Sequence, residues 1–227
     1  MRLIASSVGT GEGKTWFSRG LARALSRRGH RVAALKPFET GVTSQAADAR
    51  SLERACGAGD LAFESPAFFR CRPAVSPHAA ALSGPAADLG AIRVAIADFQ
   101  QTFGIVLVES AGGLFVPVGS PLSPLLFVDL LQADDVLFIV AANRLGVLSN
   151  VLAAVRALPS GLGLRPIIVL SGAVHADESS ATNAAVLRDH SLDAVEWGGV
   201  AVDDDDVLAE SLEGTGLVER VLLGGAC

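Results

Sequence analysis

The pattern of apolar and polar positions alternates between two kinds of segment along most of the chain. Short continuous apolar runs are typical of strands that are buried in a parallel sheet. Between them, apolar residues recur at helical spacing while polar residues fill the opposite face. The predicted strands cover residues 3–5, 31–35, 105–108, 136–142 and 166–170, with a short last strand at 200–202, and the predicted helices cover residues 14–28, 46–56, 88–103, 147–158 and 180–190.

This alternation predicts one α/β domain with a mainly parallel central sheet and helices on both of its faces. No linker or internal repeat interrupts the pattern, so we expect residues 1–227 to form a single domain. The strand at 31–35 is expected to lie beside the first strand. Residues 57–87, which include four prolines, are the least regular region. The acidic run at 203–206 predicts a solvated helix start, because carboxylates favour helix N-termini.

Composition and charge narrow the function classes. Half of the 227 residues are hydrophobic and 19% are charged, which favours a large core over disorder. A net charge of −6 argues against nucleic acid as the main partner, and no apolar run approaches the roughly 18 residues that cross a bilayer. The 3 cysteines lack C-x-x-C spacing and indicate neither a disulfide framework nor a zinc site. Because Met1 runs almost directly into a predicted strand, we expect no signal peptide and a cytoplasmic protein.

The strongest chemical signal is a glycine-rich turn between the first strand and the first helix. It resembles the phosphate-binding loop G-x-x-x-x-G-K-[ST], except that Val8 replaces the first glycine. In such a loop, backbone N–H groups converge on an anion, the lysine adds positive charge and the hydroxyl reaches Mg²⁺. We therefore predict a nucleotide site of the P-loop NTPase type, with a structural turn as the alternative. The residues predicted to bind nucleotide here are Gly9, Thr10, Gly11, Glu12, Gly13, Lys14, Thr15 and Trp16.

Lysine is rare in this chain. Lysine and arginine together number 18, yet the only lysines are Lys14 and Lys36. A compact ammonium with a tunable pKa differs chemically from a planar guanidinium, so lysine should remain where that difference matters. Because Lys14 lies in the glycine-rich turn, Lys36 becomes a second candidate site residue.

Further polar residues follow the predicted strands, where ligands of parallel α/β sheets bind. Glu109 ends a strand that is otherwise uncharged, and Lys36 and Thr40 follow another strand. A carboxylate at Glu109 could reach Mg²⁺, and Asp48 could supply a second carboxylate. The alternatives are a strand-end carboxylate that accepts local N–H groups, a surface lysine in an ordinary turn, and a helix-start acid.

Several motifs occur in an order that resembles one known family. They are Thr10 with Gly13-Lys14-Thr15, Lys36-Pro37-x-x-Thr40-Gly41, Ser76-Pro77-His78, Val108-Glu109-x-Ala111-Gly112-Gly113-Leu114-x-Val116-Pro117, and Leu145-Gly146. The set resembles dethiobiotin synthetase, the ATP-dependent ring-closing ligase of biotin synthesis. K-P-x-x-[ST]-G together with E-x-A-G-G-x-x-V-P is the specific part of this resemblance, whereas Gly-Lys-Thr is shared by many families.

The resemblance implies a homodimer that converts 7,8-diaminopelargonate, carbon dioxide and Mg²⁺-ATP into dethiobiotin, ADP and phosphate. A substrate amine would first form a carbamate, and the γ-phosphoryl group would activate that carbamate as a mixed anhydride. The neighbouring amine would then close the ureido ring. Because no covalent enzyme intermediate is needed, the protein would contribute positioning and charge stabilisation.

The resemblance also implies roles for individual positions. The catalytic residues would be Lys14, Thr10 and Lys36, the Mg²⁺ ligands would be Thr15, Asp48 and Glu109, and the substrate-binding residues would be Lys36, Thr40, Gly112, Leu145 and Gly146. The last two would lie near the substrate carboxylate at the dimer interface, where a helix N-terminus suits an anion.

Several positions depart from the family pattern. The family loop usually has an acid and then an apolar residue before Gly-Lys-Thr, whereas this chain has Gly11 and then Glu12. Ser171 stands where the family often has an asparagine that reads adenine. We predict that Ser171 contributes to the nucleotide site with fewer hydrogen bonds to the base, and that selection among nucleoside triphosphates is weaker.

Three other functions remain as alternatives. An ATP-dependent amidase of corrin synthesis shares the loop but normally carries an additional glutamine-amidotransferase domain, for which this chain has no room. Partner-regulated ATPases of partition and cell division carry a signature lysine four or five residues before the loop lysine, where this chain has Gly9 and Thr10. The third alternative is a binding module that retains nucleotide without turnover.

Overall fold

A computed structural model describes residues 1–43, 45–57, 63–172, 177–198 and 202–223 of the chain. The strands are β1 (Arg2–Ser7), β2 (Val32–Leu35), β3 (Phe38–Thr40), β4 (Phe69–Cys71), β5 (Ile105–Glu109), β6 (Val136–Ala142), β7 (Ile167–Ser171) and β8 (Asp193–Trp197). The helices are α1 (Lys14–Arg27), α2 (Ala47–Ala55), α3 (Pro77–Ala80), α4 (Leu89–Thr102), α5 (Val147–Arg156), α6 (Asn183–Asp189), α7 (Asp205–Glu213) and α8 (Leu217–Leu222). No described helix is both long enough and apolar enough to cross a membrane.

Six of the strands form one sheet in the order β2-β5-β1-β6-β7-β8. Every neighbouring pair in this sheet is parallel, which confirms the predicted fold class. The expected neighbour of β1 is wrong, because β5 lies between β1 and β2. All five residues of β5 are buried and the strand carries no charge before Glu109, so it suits a position between two other strands.

The parallel strands bring their carboxyl ends to one edge of the sheet. Ala5 lies beside Glu109 in the register of β1 and β5, and Leu35 lies beside Val108 in that of β2 and β5. The chain segments that follow β1, β2 and β5 therefore leave the sheet side by side, at the edge where ligands of such sheets bind.

A second, two-stranded parallel sheet extends this edge. It pairs β3 with β4, and the N–H of Phe69 donates to the carbonyl oxygen of Pro37 at 2.8 Å. Each strand has only 3 residues, which is too short for a periodic pattern to predict. The pair holds residues 36–40 extended along the carboxyl edge of the main sheet.

Helix α1 packs between the main sheet and α7. The ring of Phe17 lies 5.1 Å from that of Phe138 and 5.9 Å from that of Trp197. On the other side, a Cβ added to Gly20 would lie 3.0 Å from the carbonyl oxygen of Leu208. The close approach of α7 to α1 therefore depends on the missing side chain at Gly20.

The acidic run begins a helix as predicted, and three of its four residues are exposed. The carboxylate of Asp204 caps α7 by accepting the N–H of Asp206. Asp205 forms an ion pair with Arg19 at 2.6 Å, and Asp206 forms one with Arg23 at 2.7 Å. Arg19 and Arg23 of α1 therefore face α7, and the Arg19–Asp205 pair is largely withdrawn from water.

Two elements near the C-terminus differ from the prediction. The helix predicted at 180–190 begins only at Asn183, after a 3₁₀ turn at Glu178–Ala181. Strand β8 was not predicted, because its alternating exposure and its acids do not form a continuous apolar run. The predicted strand at 200–202 lies outside the described residues except for Val202, which is not in a strand.

Candidate active site

Residues 8–13 connect β1 to α1 as a turn at the carboxyl edge of the main sheet. Gly11 and Gly13 have φ angles of 78° and 89°, a left-handed conformation that favours glycine. A Cβ on Gly13 would also lie 3.2 Å from the hydroxyl oxygen of Ser171. Helix α1 begins directly afterwards at Lys14 and has no side-chain cap, so the N–H groups of its first turn can bind an anion.

Glu12 anchors this turn to the neighbouring strand. Its side chain is buried, and its Oε2 accepts the N–H of Ala142 at 2.7 Å. Its Oε1 lies 3.4 Å from Nη2 of Arg144, and the hydroxyl of Ser171 donates to its backbone carbonyl oxygen at 2.9 Å. These contacts hold the turn against β6 and β7, a role that the sequence pattern did not indicate for either Glu12 or Ser171.

Glu109, Thr15, Lys36 and Asp48 meet at the centre of this edge. Oε1 of Glu109 accepts hydrogen bonds from Oγ1 of Thr15 at 2.8 Å and from Nζ of Lys36 at 2.5 Å. Nζ of Lys36 also lies 3.2 Å from Oδ2 of Asp48. Lys36 is buried, which excludes the alternative that it is a surface lysine in an ordinary turn. The structure thus joins four predicted site residues by direct contacts.

The second oxygen of Glu109 has no well-aligned hydrogen bond to the described part of the chain. Glu109 is fully buried, and among the described residues neither its Oε2 nor the buried hydroxyl of Ser18 forms a hydrogen bond of suitable geometry, although the Ser18 side chain is close enough to help lower the pKa of Glu109 by hydrogen bonding. Leaving a buried carboxylate oxygen unpaired is costly. A cation or a water molecule at this position would satisfy it.

The charges in this cluster shift one another's pKa values. Burial acts to raise the pKa of Glu109, but the ammonium groups of Lys36 and Lys14 outweigh burial and lower it. Burial is also the largest single influence on Lys36, yet the carboxylates of Glu109 and Asp48 together raise its pKa. For Lys14, burial prevails over the nearby carboxylates and the pKa is lowered. Lys36 is therefore the better compensated of the two ammonium groups.

Asp48 is held in place by Glu39, which sequence reasoning missed. Glu39 lies in β3, and its two carboxylate oxygens accept the N–H groups of Asp48 at 2.9 Å and Ala49 at 3.0 Å. Ala46 precedes α2 and has no side chain that can accept a hydrogen bond. That missing cap is the one sequence signal that could have pointed to an acceptor elsewhere.

Arg70 holds the backbone at Lys36 and was also missed. Its Nη1 donates to the carbonyl oxygen of Lys36 at 2.8 Å, and its Nη2 donates to Glu64 at 2.8 Å. No local pattern could have indicated this contact, because the two residues are 34 positions apart and meet only through the pairing of β3 with β4.

These groups line one open cavity of about 640 Å³, a size that suits a small-molecule ligand. The predicted site residues that line it are Thr10, Gly11, Glu12, Gly13, Lys14, Thr15, Trp16, Lys36, Thr40, Asp48 and Gly112. Apolar walls come from Phe38, Val75, Pro77 and Val116. Glu109 lies behind Thr15 and Lys36, whereas Gly9, Ser171, Leu145 and Gly146 are not among the lining residues.

The glycine pair after β5 lets its loop pass close to the glycine-rich turn. Gly112 has a φ of 71°, and a Cβ there would lie 3.5 Å from Oγ1 of Thr10. A Cβ on Gly113 would lie 3.2 Å from the carbonyl oxygen of Ser7. The hydroxyl of Ser7 also donates to the carbonyl oxygen of Gly112 at 3.2 Å. The E-x-A-G-G motif therefore sets the spacing between Glu109 and the phosphate loop.

The Leu145-Gly146 turn lies away from the cavity in this chain. Gly146, with a φ of 92°, precedes α5, and the side chain of Leu145 is 80% exposed. The N–H of Leu145 donates to Oδ2 of Asp177 at 2.7 Å. Hydrogen bonds from the Ser179 side chain, and next from this N–H, lower the pKa of Asp177. A carboxylate of the chain itself thus already contacts the predicted anion-binding turn.

The arrangement has the groups needed to bind a phosphorylated ligand together with a hard cation. Lys14 and the uncapped first turn of α1 provide positive charge and N–H donors. Thr15, Glu109 and Asp48 provide the oxygen atoms that Mg²⁺ prefers. Within the part of the chain that the structure describes, no group of three or more His, Cys, Asp or Glu side chains is placed to hold a metal ion.

Sequence comparison identifies relatives along nearly the whole chain. The family described as "AAA domain" matches residues 2–196. The ATP-dependent dethiobiotin synthetase BioD of Chlorobaculum tepidum is 33% identical over 229 residues, which cover 97% of this chain and 92% of the relative. The protein of the same name from Parafrankia sp. is 33% identical over 188 residues, which cover 82% of this chain and 78% of the relative.

Comparison with solved structures supports the fold. The crystal structure of a ParA family ATPase from Chlorobium tepidum matches with a TM-score of 0.51. The match covers 97% of this chain and 92% of that chain at 15% sequence identity. At such low identity the likeness shows a common fold and does not extend to activity.

Proposed function

The chain belongs to the ATP-dependent dethiobiotin synthetase family, and from this membership we propose that it forms dethiobiotin from 7,8-diaminopelargonate, carbon dioxide and ATP in biotin biosynthesis. The observation that carries the proposal is the contact of Glu109 with both Lys36 and Thr15, which joins the K-P-x-x-T-G segment to the phosphate loop. A phosphate loop alone needs only Lys14. A second buried lysine beside it provides a place for a second, negatively charged substrate.

The phosphate loop would bind ATP. Lys14 and Thr10 line the cavity, and α1 begins there at Lys14 without a side-chain cap. Lys14 is buried without full compensation, and its pKa is lowered mainly by burial. A polyphosphate would supply the missing negative charge, so binding would be strongest for the protonated lysine.

A magnesium ion fits the oxygen donors of the site. Thr15, Asp48 and Glu109 would hold it, and this assignment is supported by the buried Oε2 of Glu109, which has no well-aligned hydrogen bond in the described part of the chain. When bound, the ion would neutralise charge on the phosphates.

Lys36 and Thr40 would bind the carbamate. One amine of the substrate attacks carbon dioxide and loses a proton, which gives the carbamate. A carbamate oxygen attacks the γ-phosphorus and ADP leaves; the second amine then attacks the carbonyl carbon, phosphate leaves, and the attacking nitrogen loses a proton. The carbamate and the phosphoryl group that it receives are negatively charged. Glu109 and Asp48 raise the pKa of Lys36 against the effect of burial, so Lys36 stays protonated and stabilises this charge.

The proposal includes a homodimer that acts in the cytoplasm. The exposed Leu145 and the turn at Gly146 lie outside the cavity of their own chain. A second copy could bring this turn to the cavity mouth, where it would meet the carboxylate tail of the substrate. The free thiols of Cys56 and Cys71 fit a reducing compartment.

Product analysis tests the function. The protein is incubated with ATP, Mg²⁺, diaminopelargonate and ¹³C-labelled bicarbonate, and the products are measured by mass spectrometry. We expect labelled dethiobiotin in equal amount to ADP and phosphate, and none when diaminopelargonate is omitted. Release of ADP without dethiobiotin, at any concentration of the diamine, would contradict the proposal.

A further inference from the structure

The first turn of α2 is capped by a side chain from outside the helix. The first turn of a helix leaves backbone N–H groups without partners inside the helix, and Ala46 cannot accept a hydrogen bond through its side chain. Instead, Glu39 accepts the N–H of Asp48 with Oε1 and the N–H of Ala49 with Oε2. Glu39 is itself buried and lines the active-site cavity. The helix start is therefore fixed to β3 by one carboxylate.

The capped turn carries Asp48 to the centre of the active site. Its carboxylate lies 3.2 Å from Nζ of Lys36, although the Asp48 side chain is 45% exposed. A half-exposed carboxylate on an unfixed helix start would lose conformational freedom on binding a ligand. With both of these N–H groups bound to Glu39, the backbone of Asp48 is fixed before any ligand arrives.

We propose that Glu39 is a positioning residue of the active site, which holds Asp48 where its carboxylate can be presented to Mg²⁺ beside Lys36. The role of the ion in ring closure rests on the proposed function. The two hydrogen bonds from Asp48 and Ala49 to Glu39 are independent of that function. The segment from Lys36 to Thr40 then has three tasks. It supplies the carbamate-binding lysine, the carbamate-binding threonine and the carboxylate that orients the helix opposite them.

The positions of the two N–H groups that donate to residue 39 favour a carboxylate there over a carboxamide. Two N–H groups point at Glu39, and a carboxylate can accept both. A carboxamide of nearly the same shape has one acceptor oxygen, and its NH₂ group would face the second N–H. Glu39→Gln therefore removes one of the two hydrogen bonds and adds a repulsive contact, with little change in volume.

Glu53 provides a matched control on the same helix. It is also a glutamate, and its Oε1 accepts the backbone N–H of Phe63 at 2.8 Å. Glu53 is not among the residues that line the active-site cavity. Glu53→Gln thus perturbs a carboxylate-to-backbone hydrogen bond of α2 without touching Asp48.

The test measures metal affinity without turnover. Mn²⁺ is titrated into the full-length protein with a non-hydrolysable ATP analogue, and binding is followed by electron paramagnetic resonance. We expect Glu39→Gln to weaken Mn²⁺ binding by about tenfold, since the loss of a residue that orients a metal ligand commonly has an effect of that order. Metal-free binding of the analogue should be unchanged, and Glu53→Gln should match the parent in both titrations.

A double-mutant cycle shows whether Glu39 acts through Asp48. In an Asp48→Asn background, Glu39→Gln should cause no further loss of Mn²⁺ affinity. An equal loss in both backgrounds would overturn the proposal. So would parent Mn²⁺ affinity in Glu39→Gln accompanied by faster amide exchange at Asp48 and Ala49, because Glu39 would then be a helix cap and nothing more.

Glu39→Asp is the second variant in case Glu39→Gln does not fold. It retains two acceptor oxygens on a shorter stem, so it should weaken Mn²⁺ binding by less than tenfold but measurably. Mn²⁺ affinity equal to that of the parent would overturn the proposal. These titrations need no diaminopelargonate, so a protein that binds metal and nucleotide but makes no dethiobiotin would contradict the proposed function alone.

Discussion

The two edges of the central sheet bury ion pairs of different kinds. At the amino edge, Nε and Nη2 of Arg2 donate to the two oxygens of Asp135 at 2.6 and 2.7 Å, and Nη2 also donates to Leu130. At the carboxyl edge, Glu109 contacts Lys36 through one oxygen, and its other oxygen has no well-aligned hydrogen bond among the described residues. The first pair is complete within the chain and serves the fold. In the second pair, Oε2 of Glu109 is still able to accept a contact, so this pair can take part in binding a ligand.

The carboxyl edge also contrasts two lysines. Both are buried to nearly the same degree, Lys14 at 6% and Lys36 at 5% exposure, but their pKa values shift in opposite directions. Burial is the largest influence on both pKa values, but the two carboxylates that contact Lys36 together outweigh it, whereas at Lys14 burial prevails. The difference teaches that burial alone does not decide the charge of a lysine. Carboxylates of the chain itself compensate the charge of Lys36, whereas the charge of Lys14 is not fully compensated by the chain and favours an anionic ligand.

The largest expected effect comes from removing one charge at each edge. Asp135→Asn should lower the free energy of unfolding by about 3 kcal/mol, because it leaves the buried Arg2 without its carboxylate partner. Glu109→Gln should lower it by less, because Lys36 keeps its contact with Asp48. Only Glu109→Gln should also reduce turnover, by roughly a hundredfold or more. Chemical denaturation and initial rates at limiting Mg²⁺ measure the two quantities. Full turnover in Glu109→Gln would remove Glu109 from the active site.

Five of the six strands of the main sheet, the phosphate loop and the residues at the strand ends could be predicted because they depend on local patterns. The apolar run before Glu109 and the glycines around Lys14 can each be recognised from a short segment of the sequence. The position of β5 between β1 and β2 could not be predicted in this way, because pairing partners depend on the packing of the whole sheet. Glu39 and Arg70 were missed because each acts on a backbone group that becomes its neighbour only after folding.

A pH titration sharpens the contrast between the two lysines. Burial lowers the pKa of Lys14 below its ordinary value of 10.5, while Glu109, Asp48 and Glu12 oppose the shift and Lys36 adds to it. Since the protonated form binds the anion, kcat/KM for ATP should fall with rising pH at a point below 10.5. Lys14→Arg, which does not deprotonate in this range, should abolish that inflection. An unchanged inflection in Lys14→Arg would assign it to another group.

The smallest expected effect concerns Ser171. Its hydroxyl donates to the carbonyl oxygen of Glu12, so Ser171→Ala should lower the free energy of unfolding by about 1 kcal/mol. Because the residue does not line the cavity, the ratio of kcat/KM for ATP to that for GTP should stay the same. Competition assays with the two nucleotides measure this ratio. A change of tenfold or more would show that Ser171 reads the base.

The most direct test of the account compares Lys36→Ala with Lys14→Ala. ATP binding is measured by titration, and dethiobiotin formation is measured in a single turnover with saturating substrates. Lys36→Ala should bind ATP like the parent but form dethiobiotin more slowly by a factor that corresponds to roughly 3 kcal/mol, whereas Lys14→Ala should lose affinity as well as rate. If Lys36→Ala forms dethiobiotin at the parent rate, Lys36 has no part in the chemistry. The claim that Lys36 and Lys14 act in one active site would then be contradicted.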